Sequence, residues 1–193
     1  DTDATKEEKP QAADMRNDLL VWIDLEMTGL DIKTCSIIEI ATVITDTDLN
    51  IIAEGPNLAI QCDEEKIQAM DEWNTTHHND SGLVQRVRES EYSLQDAQTL
   101  TLDFIKQYCT EGSTPLCGNS IWNDRKFLIK EMPELEAYLH YRMLDVSSFK
   151  IIAGQWYPEV ARFEKKEAHL ARDDILESIG ELKHYREFIF KQN

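Results

Sequence analysis

Apolar and polar positions follow two rhythms along this chain. The run Leu19-Leu20-Val21-Trp22-Ile23 leads into Asp24-Leu25-Glu26 and predicts a buried strand ending in two acids. Ser36–Thr45, rich in Ile, Val and Thr, predicts a second strand; Asp46-Thr47-Asp48 predicts a turn and Leu49–Ile60 a third strand. Connections this short favour an antiparallel meander. From Glu64 to Cys109 the spacing becomes helical, with Leu94, Ala97, Leu100, Thr101, Phe104, Ile105 and Tyr108 recurring on one side. Leu116–Gly118 reads as a short fourth strand feeding a helix that begins near Asn123, and Arg142–Val146 as a fifth strand. Ser147 or Ser148 suits the cap of the next helix, which ends near Trp156-Tyr157-Pro158. Ile175, Ile179, Leu182 and Ile189 mark the apolar stripe of a last helix. The expected fold class is α/β: a mixed five-stranded sheet flanked by helices, with three antiparallel strands and then alternating helices and strands. No repeat, P-loop or Gly-x-Gly-x-x-Gly interrupts this pattern.

Length and composition narrow the class. At 193 residues the chain suits one globular domain over 15–193. Residues 1–14 are polar and lack periodicity, so they read as a disordered or appended tail, with Met15 a natural start. No apolar run approaches the roughly 18 residues that cross a membrane, and no signal-peptide pattern is present. Cys35, Cys62, Cys109 and Cys117 show no Cys-x-x-Cys spacing, which suits reduced thiols in a cytoplasmic setting. The net charge of −17 bears on partners. Long nucleic acids are held by many Lys and Arg contacts. With 20 basic against 37 acidic residues, the chain favours a short oligonucleotide over a long polyanion.

Asp24 and Glu26 sharpen this. Two residues apart on a strand point to one face, about 7 Å apart. Carboxylates that close repel unless a cation lies between them, and a hard divalent ion with oxygen ligands is the usual solution. Solvated acids at a strand end are the plainer reading of the pair alone. Further along stand Asp124, in Gly118–Leu128, and His169 with Asp174, in His169-Leu170-Ala171-Arg172-Asp173-Asp174-Ile175. His169 and Asp174 are five positions apart and would not share a helix face. A loop position for His169, ahead of the helix, suits a general base with an ordinary pKa of about 6.5.

In this order, four acids and a histidine resemble the DEDDh 3′-to-5′ exonucleases. Trp22–Leu30, Gly118–Leu128 and His140–Ser147 are most similar to the oligoribonuclease branch, and the likeness runs from about Leu19 to Phe190. The resemblance implies a ribonuclease H-like fold. It also implies two divalent cations, Mg²⁺ or Mn²⁺, held by Asp24, Glu26, Asp124 and Asp174, with Asp24 bridging and His169 as base. Asp173 is an alternative ligand, but the family's His-x4-Asp spacing points to Asp174. The expected activity is 3′-to-5′ hydrolysis of very short RNA, 5′-phosphorylated dinucleotides above all, to nucleoside 5′-monophosphates.

The same resemblance implies a substrate cradle. Leu30 and Trp73 match positions that wedge or stack bases at the 3′ end. His78 and Ser120 match phosphate-contacting positions. Tyr141, Arg142 and Ser147 match residues at the 5′ end, with Tyr141 and Arg142 supplied by the partner of a homodimer. Core packing for Leu30 and ordinary surface roles for Trp73, Tyr141 and Arg142 are the plainer readings. His77-His78 could suggest a transition metal, but adjacent side chains rarely converge. Trp122, Glu167 and Arg172 depart from the usual pattern without removing an acid. The competing functions are a general exonuclease of proofreading or tRNA-trimming type, and a silent nucleic-acid-binding scaffold.

Overall fold

The computed structural model describes residues 18–160, 162–166 and 169–190. The proposed tail over 1–14, Met15 and Glu167 lie outside the described residues. The first apolar run forms β1 (Leu19–Met27), followed by β2 (Ile37–Asp46) and β3 (Ile51–Ala59). Both pairings are antiparallel, as the short connections predict. Four helices follow: α1 (Glu64–Gln68), α2 (Glu72–Asp80), α3 (Leu83–Glu89) and α4 (Leu94–Lys106). Then come β4 (Pro115–Gly118), α5 (Ile121–Glu131), α6 (Pro133–Tyr138), β5 (His140–Asp145), α7 (Val146–Trp156) and α8 (Ala171–Phe188). The sheet order is β3-β2-β1-β4-β5, with β4 parallel to β1 and β5 parallel to β4. This is the expected mixed five-stranded sheet flanked by helices. No described helix is long and apolar enough to cross a membrane.

β1 packs differently on its two faces because side chains alternate along a strand. Leu19, Val21, Ile23 and Leu25 are buried with Ala97 and Ile105 of α4 and Phe127 and Leu128 of α5. Burying each such side chain is worth about 1.5–3 kcal/mol. Trp22 points the other way, among Cys117 and Ala171, Ile175 and Ile179 of α8, and its indole Nε1–H donates to Thr45 Oγ1 at 3.0 Å. Asp24 and Glu26 continue that second face toward the strand's end, where α8 begins.

Some boundaries differ from expectation. α5 starts at Ile121, two residues early, because Ser120 turns the chain with φ 48°. β5 starts at His140, and the cap of α7 is Asp145, neither Ser147 nor Ser148. The Asp145 carboxylate accepts the Ser147 N–H at 2.9 Å and the Ser120 N–H at 2.9 Å. One acid thus closes two helix starts, which leaves the serine hydroxyls for other partners. Ser147 Oγ–H donates to Asn119 Oδ1 at 3.0 Å.

Candidate active site

β1, α5 and α8 bring the acids together. One carboxylate oxygen each from Asp24, Glu26 and Asp174 lies within 4.8 Å of the others. Asp124 stands beside this group. Its Oδ1 accepts the Leu25 N–H at 3.0 Å, which locks α5 against the backbone between the two strand acids. Asp173 turns away to Arg172, 3.4 Å off, so it is Asp174 that joins the cluster. Arg172 itself reaches across to Glu54 of β3 at 2.8 Å.

Burial and mutual repulsion set the proton affinities. Asp24 is pushed well above the usual carboxylate range, first by desolvation and then by Asp124, Glu26 and Asp174. Desolvation, with Asp174 and Glu39 adding repulsion, raises Glu26 to about 9. Desolvation raises Asp124 to about 7 against the Leu25 hydrogen bond that lowers it. Asp174 is raised to about 6 by burial and Glu177, with Lys165 opposing. Buried, crowded carboxylates that resist ionisation are stable as anions only with positive charge among them. An all-oxygen set of this kind fits a hard divalent cation.

A cleft of about 350 Å³ opens over Asp24 and Asp174, lined also by Trp73, His77, Asn119, Lys165, His169, Glu177 and Ser178. His169 occupies the loop ahead of α8 in the left-handed region, φ 52°. That conformation is uncommon for a residue with a Cβ and marks a position held by its surroundings. Its ring meets His77 edge-on at 4.6 Å and Trp73 edge-on at 5.6 Å between centroids. His77 stacks on Trp73 at 3.9 Å. The adjacent histidines do diverge: His77 joins this aromatic wall, whereas His78 is buried with Nε2 on the Met27 carbonyl at 2.9 Å and Nδ1 3.9 Å from Glu26. His78 therefore lies deeper than a phosphate contact requires.

The remaining cradle residues sit around this centre. Leu30 is 65% exposed in the β1–β2 loop, which rules out the core reading. Lys130 Nζ holds that loop by donating to Ile32 O at 2.6 Å and Cys35 O at 3.2 Å. Trp73 is exposed in the first turn of α2, a helix capped by Asp71, which accepts the Asn74 N–H at 2.8 Å. Ser120 N–H donates to Ser147 Oγ at 3.0 Å, so the two serines share one corner next to Asn119 of the cleft. Tyr141 and Arg142 stand on the edge strand β5, joined by an Arg142 Nε–H to Tyr141 Oη bond of 3.1 Å, and do not line the cleft of their own chain. Trp122 is exposed on α5 under Lys126, 4.2 Å from its ring centroid, and does not line the cleft either.

Sequence reasoning missed His77, Asn119, Lys165, Glu177, Ser178 and Glu39. The Trp73–His77 spacing of four was a usable sign, since residues four apart share a helix face. An isolated acid inside Ile37-Ile38-Glu39-Ile40 was another. Lys165 and Asn119 meet the site only through tertiary contacts: both reach buried Glu181 of α8, at 2.9 and 3.1 Å.

Residues 21–182 match the family model described as Exonuclease. The oligoribonuclease of Hydrogenovibrio crunogenus is 56% identical over 172 residues, covering 89% of this chain and 94% of that protein. The oligoribonucleases of Vibrio campbellii and Pseudomonas aeruginosa are 57% and 56% identical over 173 residues, covering 89% of this chain and 96% of each relative. The chain belongs to the oligoribonuclease family. It is a 3′-to-5′ exoribonuclease. Among solved structures, Escherichia coli exonuclease I in complex with a 5cy-dT13 oligonucleotide has a TM-score of 0.69 at 13% identity, covering 90% of this chain. Exonuclease I from Methylocaldum szegediense has a TM-score of 0.64 at 16% identity over 89% of this chain. This chain spans only 42% and 41% of those chains, and at such identity they show the shared ribonuclease H-like fold alone.

Proposed function

We propose that this exoribonuclease acts on very short RNA, 5′-phosphorylated dinucleotides above all, and releases nucleoside 5′-monophosphates. The observation that carries this reading is the small cleft, about 350 Å³, with carboxylates at its floor and Trp73, His77 and His169 as one wall. It lies at the low end of ligand-pocket volumes, roughly 300–1,000 Å³. Asp24, Glu26, Asp124 and Asp174 would hold two divalent cations, Mg²⁺ or Mn²⁺. When bound, such a pair activates water and offsets charge on the phosphate and the leaving oxygen. His169 takes the proton from the attacking water as general base. The water oxygen bonds to phosphorus, and the bond from phosphorus to the 3′ oxygen breaks. Trp73 and Leu30 stack or wedge the 3′ bases, each stacked base worth about 1–3 kcal/mol. Ser120 and Ser147 receive phosphate at their shared corner.

Tyr141 and Arg142 complete the 5′ end of the partner's site in a cytoplasmic homodimer. Their exposure on an edge strand, away from the cleft of their own chain, supports this. The four cysteines are free thiols, in keeping with that compartment. His78, turned to Glu26, supports the floor in preference to touching phosphate.

The test is relative kcat/KM on RNAs of increasing length. Binding energy from both ends is available together only at one end-to-end distance, so 5′-phosphorylated dinucleotides should be cleaved fastest and long strands much more slowly. Equal kcat/KM across lengths would favour a general exonuclease of proofreading or tRNA-trimming type. Assembly is tested by mixing Asp24→Ala with Tyr141→Ala protein. Mixed dimers carry one site with both groups intact and should regain activity; a fully active monomer in sedimentation would exclude the shared site.

A further inference from the structure

Glu39 is an acid that neither the ligand set nor the base assignment uses. It lies in β2, wholly buried, between Ile38 and Ile40. In the sheet register it faces Glu26 directly. Like charges in such a cross-strand pair destabilise a sheet. Its charge also adds to the repulsion that raises Asp24, Glu26 and Asp174. For packing alone, an apolar side chain would serve better, since replacing a buried ion pair by apolar residues is often neutral or stabilising.

Its two oxygens point to a reason. Glu39 Oε1 accepts from Arg86 of α3 at 2.7 Å. Oε2 accepts the backbone N–H of Ala171, the first residue of α8, at 3.1 Å. That N–H is one of the donors a helix start leaves without an intrahelical partner, and Leu170 at the N-cap supplies no side-chain cap. Glu39 therefore caps α8 from another strand. The capped turn carries Asp174, whose N–H donates to Leu170 O at 3.0 Å. It follows directly on His169 and its left-handed backbone. Through Arg86 the same carboxylate holds α3, which packs against α2, the helix of Trp73 and His77. One buried carboxylate thus links the start of α8, next to His169, with α3, on which the helix of Trp73 and His77 packs.

We propose that Glu39 is a positioning residue of this active site: by bridging Arg86 and the Ala171 N–H, it sets Asp174 and His169 over Asp24 and Glu26. The inference rests on the reading of Asp174 as a metal ligand and His169 as the base. Glu39→Gln is the informative variant. Glutamine keeps the volume but has one acceptor oxygen, so one tie must be lost.

Three measurements on the full chain decide the matter. In cation-free protein, amide exchange over Ala171–Asp174 should quicken in Glu39→Gln while that of the β1 amides does not. Mn²⁺ affinity by calorimetry, without substrate, should weaken roughly 10–100-fold, as for other groups that orient metal ligands. kcat should fall by a similar factor with KM little changed. Glu39→Gln with wild-type exchange, Mn²⁺ affinity and kcat overturns the proposal, as does a lower Tm with those three unchanged. Should that variant not fold, Arg86→Met decides: it frees the carboxylate from α3, and wild-type Mn²⁺ affinity and kcat in it would equally overturn the proposal. Asp174→Ala separates the two levels. Full activity there sinks the ligand reading itself; an inactive Asp174→Ala beside a fully active Glu39→Gln sinks only this one.

Discussion

The two faces of β1 share nine residues of backbone and have opposite energetics. On one, Leu19, Val21, Ile23 and Leu25 are buried among apolar neighbours of α4, α5 and α6. On the other, Trp22 packs on α8, and two residues later the face turns to Asp24 and Glu26, crowded by Asp124, Asp174 and Glu39. The first face stabilises the fold. The acidic end of the second, without cations, opposes it, because burial and repulsion both disfavour the anions. One strand can carry both because alternation keeps the two sets apart while the apolar face holds the backbone rigid. Placing the acids on such a strand fixes their spacing with a precision that a loop would not give.

The sharpest way to break this contrast is to remove one acid. Asp24→Ala should abolish RNA hydrolysis while leaving the fold intact or slightly stabilised in EDTA, since it relieves repulsion. Activity assays and thermal melts check this together, and wild-type turnover in Asp24→Ala would refute the placement of the metal centre. His169→Ala comes next, with turnover lower by about 10²–10⁴-fold and substrate binding largely retained. Single-turnover rates and dinucleotide binding separate the two effects. An unchanged single-turnover rate would remove His169 from the mechanism.

The apolar face gives the opposite result. Ile23→Ala, one residue from Asp24, should cost about 2–5 kcal/mol of stability because it leaves a cavity under α4 and α5. At a temperature where the variant is folded, kcat should stay within a few-fold of wild type. Denaturant unfolding and kinetics on the same sample test it. A stability loss confined to Asp24→Ala, with none in Ile23→Ala, would reverse the assignment of the faces.

Legibility in the sequence divides along the same line. β1 could be read because an apolar run and its terminal acids are local features, and the meander because its connections are short. The caps could not be read locally: Ser147 and Ser148 are good caps in isolation, but Asp145 accepts the N–H of Ser147 itself and also that of Ser120, 25 residues away. The acids and His169 were legible as an ordered set, and the structure gathers Asp24, Glu26 and Asp174 while placing Asp124 against the Leu25 amide. The wall partners were not. Lys165 and Ser178 enter the cleft through α8, and nothing in their local sequence marks them; Asn119 stands in the Gly118–Leu128 segment, but its contact with α8 is tertiary. Glu39 was visible as a lone acid in an apolar strand, yet its purpose depends on Ala171, 132 residues further on.

The smallest effect, and the one that tests the charge argument most directly, is the pH dependence of the cation-free fold. Glu26, Asp124 and Asp174 are raised in the folded state to about 9, 7 and 6, from ordinary values of 4.5, 3.8 and 3.8. A raised carboxyl binds its proton more tightly folded than unfolded. Its contribution to stability is therefore fully present below the unfolded pKa and is lost as pH rises through the folded one. In EDTA, Tm should fall steadily as pH rises from about 5 through the raised values, the highest of them about 9. Saturating Mn²⁺ should oppose the fall, because cation binding favours the ionised folded state and releases protons. Asp24→Ala should flatten the EDTA curve, since it removes a carboxyl that burial and the charges of Asp124, Glu26 and Asp174 themselves raise well above the usual range. Ile23→Ala should shift the curve down without changing its slope, as an apolar truncation leaves the carboxylates in place. Melting curves at several pH values, with and without Mn²⁺, read all four cases. A Tm in EDTA that rises across this range would mean that the acids ionise freely in the fold, and the second face of β1 would then carry no charge burden for a cation to offset.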